Sequence, residues 1–383
     1  MKKLAIITSH PIQYNAPLFR LLSKRKKIAV KVFYTWGQSE KEVYDAKFAM
    51  QRSWDIPLLE GYDYIFVKNT SKHPDSNRFF GIINPGFIQQ LKKEQFNAVL
   101  IYRWSVFSHL NIMQRLGGNT KLFFRGDSHL LNNRVGIYSF FKTFLLKWVY
   151  RKVDIAFYVG KHNKEYLVKY GMMEQQLVAA PHAVDNDRFT THADQWEQRA
   201  ADERQQLNIP EEAIVFLYAG KFYELKQLDL LINAFKKLAG SQYRLLLYGN
   251  GRQEKQLKEL AKDDQRILFQ PFRNQSDMPW VYRTGDVFVL TSKNETWGLG
   301  VNEAMACRRP ALISDQCGCA PDLIIQQKTG FVFKSGNEDD LLKSMQQFSS
   351  KKHAMELGKQ AFNHICHYSL QWIADAIEEE VLR

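Results

Sequence analysis

Cysteine is scarce in this 383-residue chain, and acid is outnumbered by base. The four cysteines, Cys307, Cys317, Cys319 and Cys366, all fall in the second half, and only two of them are close. Zinc sites usually bring two spaced pairs, and small secreted folds bring many more cysteines. The four therefore read as reduced, mostly buried thiols of a cytosolic protein. Long apolar runs are missing as well. The opening MKKLAIITSH holds a stretch well short of the ~7–15 apolar residues of a signal peptide. No run approaches the ~18 residues of a spanning helix. An acidic balance is absent, since 53 Lys plus Arg face 40 Asp plus Glu for a net charge of +13. That excess favours an anionic partner, whether nucleic acid, a membrane surface or a phosphorylated substrate. No helix-turn-helix, RNP or zinc signature is found, so no nucleic-acid partner is expected. No metal site and no cofactor are expected either.

What is present is ordinary globular composition, 45% hydrophobic and 24% charged, in a chain long enough for two domains at ~100–200 residues each. Short buried-type runs such as LAIIT (4–8), VKVFYT (30–35), YIFV (64–67), AVLIY (98–102), KLFFR (121–125) and IAFYV (155–159) alternate with helical patterns. That alternation predicts a mostly parallel sheet. Residues 37–60 read as polar and irregular. The pattern falters over 188–210, which is polar and charge-rich, and restarts with VFLYAG, YRLLLYGNG, RILFQ, VFVLTS, PALIS and GFVF. DLIIQQ reads as a helix between the last two. The expected fold is α/β, with two Rossmann-like domains facing a cleft. The boundaries read as 1–187, a connection over 188–210, a second domain over 211–365, and a helix over 366–383 returning to the first domain. Ligands of such sheets sit at the carboxyl ends of the strands.

Four segments could carry chemistry. In TSKNETWGLGVNEAMACRRP (291–310), Glu295 lies in a loop after a strand, and Gly298 and Gly300 open a helix carrying Glu303. Glycines at a helix start let a phosphate approach the free N–H groups, and the two carboxylates suit a sugar on one side and a ribose on the other. The plain alternative is a solvated loop Glu and a helix-surface Glu. In YAGKFYELKQLDLL (218–231), Lys221 and Lys226 lie at a strand-to-helix junction, where two ammonium groups can grip a diphosphate. Two solvated lysines are the competing reading. In YGNGR (248–252), Gly249 and Gly251 permit close backbone approach or form a tight turn. PHAVDNDRF (181–189) follows a short apolar strand.

Together and in this order, these segments resemble the family 4 glycosyltransferases, retaining enzymes of the GT-B fold, of the kind that builds bacterial surface polysaccharides. Glu295 and Glu303 match the family's Glu-x7-Glu pair, EAMACRRPALIS is similar to its EAMACG-P-V-I-S, Lys221 and Lys226 match its basic pair, and PHAVDNDRF resembles P-N-G-V-D-x-x-x-F. The resemblance is close over 155–345 and loose before it. It implies sugar transfer, with retention and without a metal, from a nucleotide-diphosphate sugar, a UDP-sugar being favoured, to a glycan or lipid-linked acceptor. By the same resemblance Lys221 and Lys226 hold the diphosphate and Glu295 meets the donor sugar. Glu303 takes the ribose, and Gly220, Gly249, Gly251, Thr296, Gly298, Leu299 and Gly300 line the donor. Arg125, Asp127 or His129, in FFRGDSHLL, is expected to contact the donor sugar, with an Arg–Asp pair fixing the loop as the competing reading. His10 and Gln13 are further candidates for sugar or acceptor contact.

Departures from the family pattern are Lys221 for the commoner Arg, Ala183 for Gly, Arg308 for Gly, and Ser9, His10 and Pro11 in place of a glycine-rich first loop. At Arg308 the turn is expected to be built differently. An epimerase of the same fold, a phosphorylase and a non-catalytic binding protein remain competing readings. The charge is lopsided. Residues 1–190 hold 29 basic and 14 acidic residues, and residues 191–383 hold 24 and 26. This points to an anionic acceptor, or a cytoplasmic protein lying on the inner face of an anionic membrane. The run 135–152, aromatic and basic, reads either as an interfacial helix or as a buried core helix. KRKK at 24–27 is a second basic cluster.

Overall fold

Strands and helices alternate along the computed structural model, which describes residues 1–36, 43–45, 50–52, 54–131 and 137–383. The strands in chain order are β1 (Lys3–Thr8), β2 (Ala29–Tyr34), β3 (Val43–Asp45), β4 (Met50–Arg52), β5 (Asp63–Phe66), β6 (Ala98–Tyr102), β7 (Lys121–Arg125), β8 (Ile155–Tyr158), β9 (Leu177–Ala179), β10 (Ile214–Lys221), β11 (Tyr243–Asn250), β12 (Ile267–Gln270), β13 (Val287–Leu290), β14 (Ala311–Ser314) and β15 (Gly330–Phe333). The chain divides into two compact units, one of Met1–Glu42, Ile56–His182 and Leu370–Arg383, the other of Val43–Asp55 and Ala183–Ser369.

The first unit is a seven-stranded sheet in the order β5-β2-β1-β6-β7-β8-β9, with every pairing parallel. The second is a six-stranded sheet in the order β12-β11-β10-β13-β14-β15, again all parallel. Parallel sheets are covered on both faces, which is why their strands are continuous apolar runs rather than alternating ones. Leu4 to Ile7, Ala98 to Ile101 and Val287 to Val289 are fully buried. In each unit the chain starts mid-sheet, builds outward, then returns to the other side of the first strand. The switch falls between β1 and β6 in the first unit and between β10 and β13 in the second.

Three readings need correction. The stretch 37–60 carries the antiparallel pair β3–β4, while 37–42, 46–49 and 53 lie outside the described residues. DLIIQQ is helical only to Leu323; the Thr329 hydroxyl donates to the Leu323 carbonyl at 2.9 Å and accepts from the Ile325 amide at 2.8 Å, turning the chain towards β15. The polar segment 188–210 takes in the end of helix Asn186–Thr190 and all of helix Ala193–Gln206, which cluster with the second unit. The longer one buries only Ala200, so it has no apolar stripe to read. Ion pairs tie it down instead, Arg204 to Asp286 at 3.2 Å and Glu197 to Arg283 and Arg309 at 3.2 and 2.9 Å.

The basic run at 24–27 is partly neutralised. Arg25 and Lys27 both pair with the buried carboxylate of Glu378, each at 3.2 Å, on helix Leu370–Leu382. Among the cysteines, Cys307, Cys317 and Cys319 are buried free thiols and Cys366 is an exposed one.

His109, fully buried at the carboxyl edge of the first sheet, shares its Nε2 with the Thr35 hydroxyl at 2.8 Å. Its Nδ1 meets the carbonyls of Tyr102 at 3.1 Å and Arg103 at 2.8 Å. Burial, reinforced by the Arg103 charge, outweighs those carbonyls and pushes the imidazole down to about 4. The unfolded chain therefore binds a proton that the folded one refuses as pH falls from about 6.5 to about 4. Stability present above pH 6.5 is expected to fall by roughly 2–3 kcal/mol across that window. Urea unfolding of His109→Gln against the parent should show a flatter profile in the same range.

Candidate active site

The second sheet places its candidates at the carboxyl ends of β10, β11 and β13, on both sides of its switch point, where ligands of doubly wound sheets bind. β10 and β11 end in register, Gly220 beside Gly249 and Lys221 beside Asn250. A Cβ on Gly249 would lie 1.9 Å from the Gly220 carbonyl oxygen, and one on Gly251 would lie 2.4 Å from that of Phe222. The glycines therefore permit a close backbone approach rather than only a turn.

After β10 the chain makes the 3-10 turn Glu224–Lys226. The Thr291 hydroxyl holds the Lys226 carbonyl at 2.6 Å, and the Lys293 amide donates to the Leu225 carbonyl at 2.8 Å. Arg252 Nε donates to Glu224 at 3.0 Å, joining the same turn to the 248–252 loop. This turn delivers the Lys226 ammonium to Glu295 Oε2, a half-buried ion pair. Burial alone would lower the ammonium, but Glu295 and then Tyr218 hold it above its ordinary value. Glu295 is fixed by its backbone, its amide donating to Gln316 at 3.1 Å and its carbonyl accepting from Gly318 at 2.9 Å. Ser292 donates to the same carboxylate oxygen at 3.5 Å.

Gly298 caps helix Leu299–Ala306 with φ +103, and a Cβ there would meet Leu290 at 3.0 Å and Glu295 Cγ at 3.5 Å. The first-turn N–H groups of this helix lack intrahelical acceptors. They belong to Leu299 and Gly300, both half-buried, preceded by buried Gly298 and exposed Thr296. Trp297 anchors the turn by donating to Asn302 Oδ1 at 2.8 Å.

Glu303 is not a helix-surface carboxylate. It is 2% exposed. Its Oε2 accepts from the Tyr282 hydroxyl at 2.7 Å, and its Oε1 from Arg188 Nη2 at 3.4 Å. Arg188 also donates to Gln275 at 3.0 Å. Each Glu303 oxygen thus accepts one hydrogen bond, and a carboxylate retains further lone pairs as acceptors. Arg188, Tyr282 and Gln275 were not singled out from the sequence. Arg188 stood in the DNDRF turn, but nothing in its spacing linked it to Glu303. That turn also contains the Asp-x-Asp triplet Asp185, Asn186, Asp187. It begins the five-residue helix, and no metal-holding group of His, Cys, Asp or Glu occurs among the described residues.

Lys226, Glu295 and Gly298 are thus brought together, and Gly220, Gly249 and Gly251 form one strand edge. Lys221 is half-buried at the end of β10, its carbonyl accepting from Tyr218 at 2.8 Å.

The remaining candidates belong to the first unit. Arg125 is buried and donates to the carbonyls of Ala180 and Pro181, the second at 3.3 Å. Burial lowers its pKa. These bonds fix the chain turn after β9. Asp127 is half-buried. His129 Nδ1 accepts from the Leu131 amide at 3.3 Å. His10 packs edge-on to Trp36 at 5.4 Å and its Nδ1 meets Ser9 at 2.9 Å, and Gln13 is half-buried.

Two departures from the family pattern have a local explanation, the second against expectation. Ala183 has no positive φ, so replacing Gly costs no strain there. Arg308 does not change the turn. It takes φ +58 itself, its amide donating to Met305 and the Arg309 amide to Ala304 at 3.0 and 2.9 Å, the helix stop that glycine usually makes. Its guanidinium stacks on Phe362 at 4.9 Å. Arg308→Gly is therefore expected to be more stable than Arg308→Ala by about 1 kcal/mol, measured by urea unfolding, because both lose the stacking and only the first loses the strain.

Two doubly wound, all-parallel α/β units are the architecture of the GT-B fold. Residues 200–364, less than half of the chain, match the family model described as "Glycosyl transferases group 1". Among curated relatives, mannosylfructose-phosphate synthase of Agrobacterium fabrum is 28% identical over 43% of this chain and 38% of its own length. The matched part is about two fifths of that relative. Among solved structures, sucrose-phosphate synthase of Thermosynechococcus elongatus superposes with a TM-score of 0.74 at 18% identity, covering 99% of this chain and 98% of that one. An Anabaena protein solved with UDP and glucose superposes with a TM-score of 0.70 at 16% identity over 100% of both chains. At these identities the superpositions establish the fold alone.

Proposed function

We propose that the chain transfers a sugar, with retention and without a metal, from a UDP-sugar to a glycan or lipid-linked acceptor. The observation that carries this is the Lys226–Glu295 pair at the switch point, beside a glycine-opened helix start. In the donor-free protein each partner offsets the other's loss of hydration. A bound diphosphate takes over Lys226 and releases Glu295 to accept a sugar hydroxyl. The bond from the anomeric carbon to the phosphate oxygen breaks, and the bond to the acceptor oxygen forms on the same face. The leaving diphosphate accepts the acceptor's proton. Lys221, Lys226 and the N–H groups of Leu299 and Gly300 face the charge that develops on the leaving group, the kind of preorganised stabilisation that dominates such steps. Glu303 is assigned to the ribose, through the lone pairs that Arg188 and Tyr282 leave. UDP is favoured because a neighbour of the same fold was solved with UDP and glucose. The basic excess of residues 1–190 favours an anionic acceptor at the cytoplasmic face of a membrane, as in surface-polysaccharide assembly.

A screen of nucleotide sugars, read as UDP or other nucleotide released with and without a chelator, tests the reading. Turnover that survives chelation and falls in Lys226→Met is expected. Turnover indifferent to Lys226, or none across the panel, overturns it.

A further inference from the structure

Helix Ile137–Tyr150 has two apolar faces. One is core. Leu146, Val149 and Tyr150 are buried among Ile112, Phe124 and Tyr166. The other is open. Phe140, Phe141, Phe144, Leu145 and Trp148 are 61%, 66%, 60%, 47% and 39% exposed. Their spacing puts them along one side of a helix, and Phe140 packs on Phe144 at 4.7 Å to make a continuous aromatic strip. Single exposed apolar residues need no explanation, but a contiguous strip of five large ones marks an interaction surface. Residues 135 and 136, at the start of the run singled out in the sequence, lie outside the described residues.

We infer that this strip lies in the interface of an anionic lipid bilayer. The occupant follows from charge and length. Exposed Lys147, Arg151 and Lys152 accompany the strip, Arg151 stacked on Trp148 at 5.8 Å and Lys152 donating to the Gln114 carbonyl at 2.6 Å. Residues 1–190 carry 29 basic against 14 acidic residues. A second copy of this face would bring like charges together, whereas anionic headgroups supply the opposite sign at the depth where Phe and Trp settle. Fourteen helical residues span roughly 21 Å, short of the ~30 Å hydrocarbon core, and no helix among the described residues is long and apolar enough to cross a membrane. The helix therefore lies on the bilayer. This adds a partner to the proposed transferase, but lipid binding needs no donor, so the two readings can fail separately.

The test is co-sedimentation of the whole chain with phosphatidylcholine vesicles, with and without phosphatidylglycerol. Binding should require the anionic lipid and weaken with salt. Phe140→Ser/Phe144→Ser should lower the partition coefficient by about tenfold or more, and Lys147→Gln/Arg151→Gln should abolish most of the anionic preference. The thermal transition of both variants should match the parent, since these side chains are exposed. Absence of binding to anionic vesicles overturns the inference. So does equal binding by the double-serine variant, or a lipid-free dimer in sedimentation that the double-serine variant dissociates.

Discussion

Replacing Lys226 with methionine is expected to lower sugar transfer by about 10²–10³-fold while leaving the fold in place. The turn that carries Lys226 does not depend on its ammonium. The Lys226 carbonyl is held by Thr291 and its amide donates to Tyr223 at 2.9 Å. Methionine keeps the length of the stem and removes the charge, so the loss falls on whatever the ammonium serves. Without it, Glu295 keeps Ser292 and partial contact with solvent, which limits the cost to the folded state to roughly 1–3 kcal/mol. Glu295→Gln removes the partner instead. If the two act as a unit, the double variant should be little slower than Lys226→Met alone. Lys226→Arg should recover part of the rate, because the charge returns on a differently shaped group. A methionine variant within about threefold of the parent would remove the lysine from the mechanism.

The strands were legible because parallel strands buried on both faces are continuous apolar runs, and LAIIT, AVLIY and VFVLTS sit where β1, β6 and β13 form. In the candidate site, the sequence pointed separately to Lys226 and Glu295, which the structure pairs. Partners distant in sequence were not legible. Arg188 and Tyr282 reach Glu303 from 115 and 21 residues away, and no local pattern marks such a contact. The segment 188–210 misled for a physical reason, since a helix held by ion pairs to Asp286, Arg283 and Arg309 shows no apolar period. Arg308 misled in the other direction. A missing glycine suggested a changed turn, but an arginine can take φ +58 at a cost near 1 kcal/mol. In the run 135–152, read either as an interfacial or as a buried core helix, helix Ile137–Tyr150 buries Leu146, Val149 and Tyr150 and exposes Phe140, Phe141 and Phe144.

Gly249→Ala is expected to destabilise the second unit by about 4 kcal/mol or more, a size reserved for overpacking or backbone strain and here combining both. The new methyl would sit 1.9 Å from the Gly220 carbonyl oxygen and 3.0 Å from the Phe222 ring. The first neighbour is backbone in the paired strand and cannot swing aside. The φ of +144 adds strain for any side chain. A unit of this size loses ~2–4 °C per kcal/mol, so the transition should drop by ~10 °C. Gly300→Ala is the contrast. Its methyl would meet the Phe288 ring at 3.1 Å and the Tyr282 hydroxyl at 3.2 Å, both side-chain atoms, inside helix Leu299–Ala306. Alanine's helix preference returns roughly 1 kcal/mol there, leaving the transition close to the parent's. If Gly249→Ala melts with the parent, β10 and β11 do not approach as closely as described, and the edge assigned to the donor must be redrawn. If it melts early yet the parent's transition rises with UDP and the variant's does not, the close approach at Gly220 and Gly249 serves the ligand as well as the sheet.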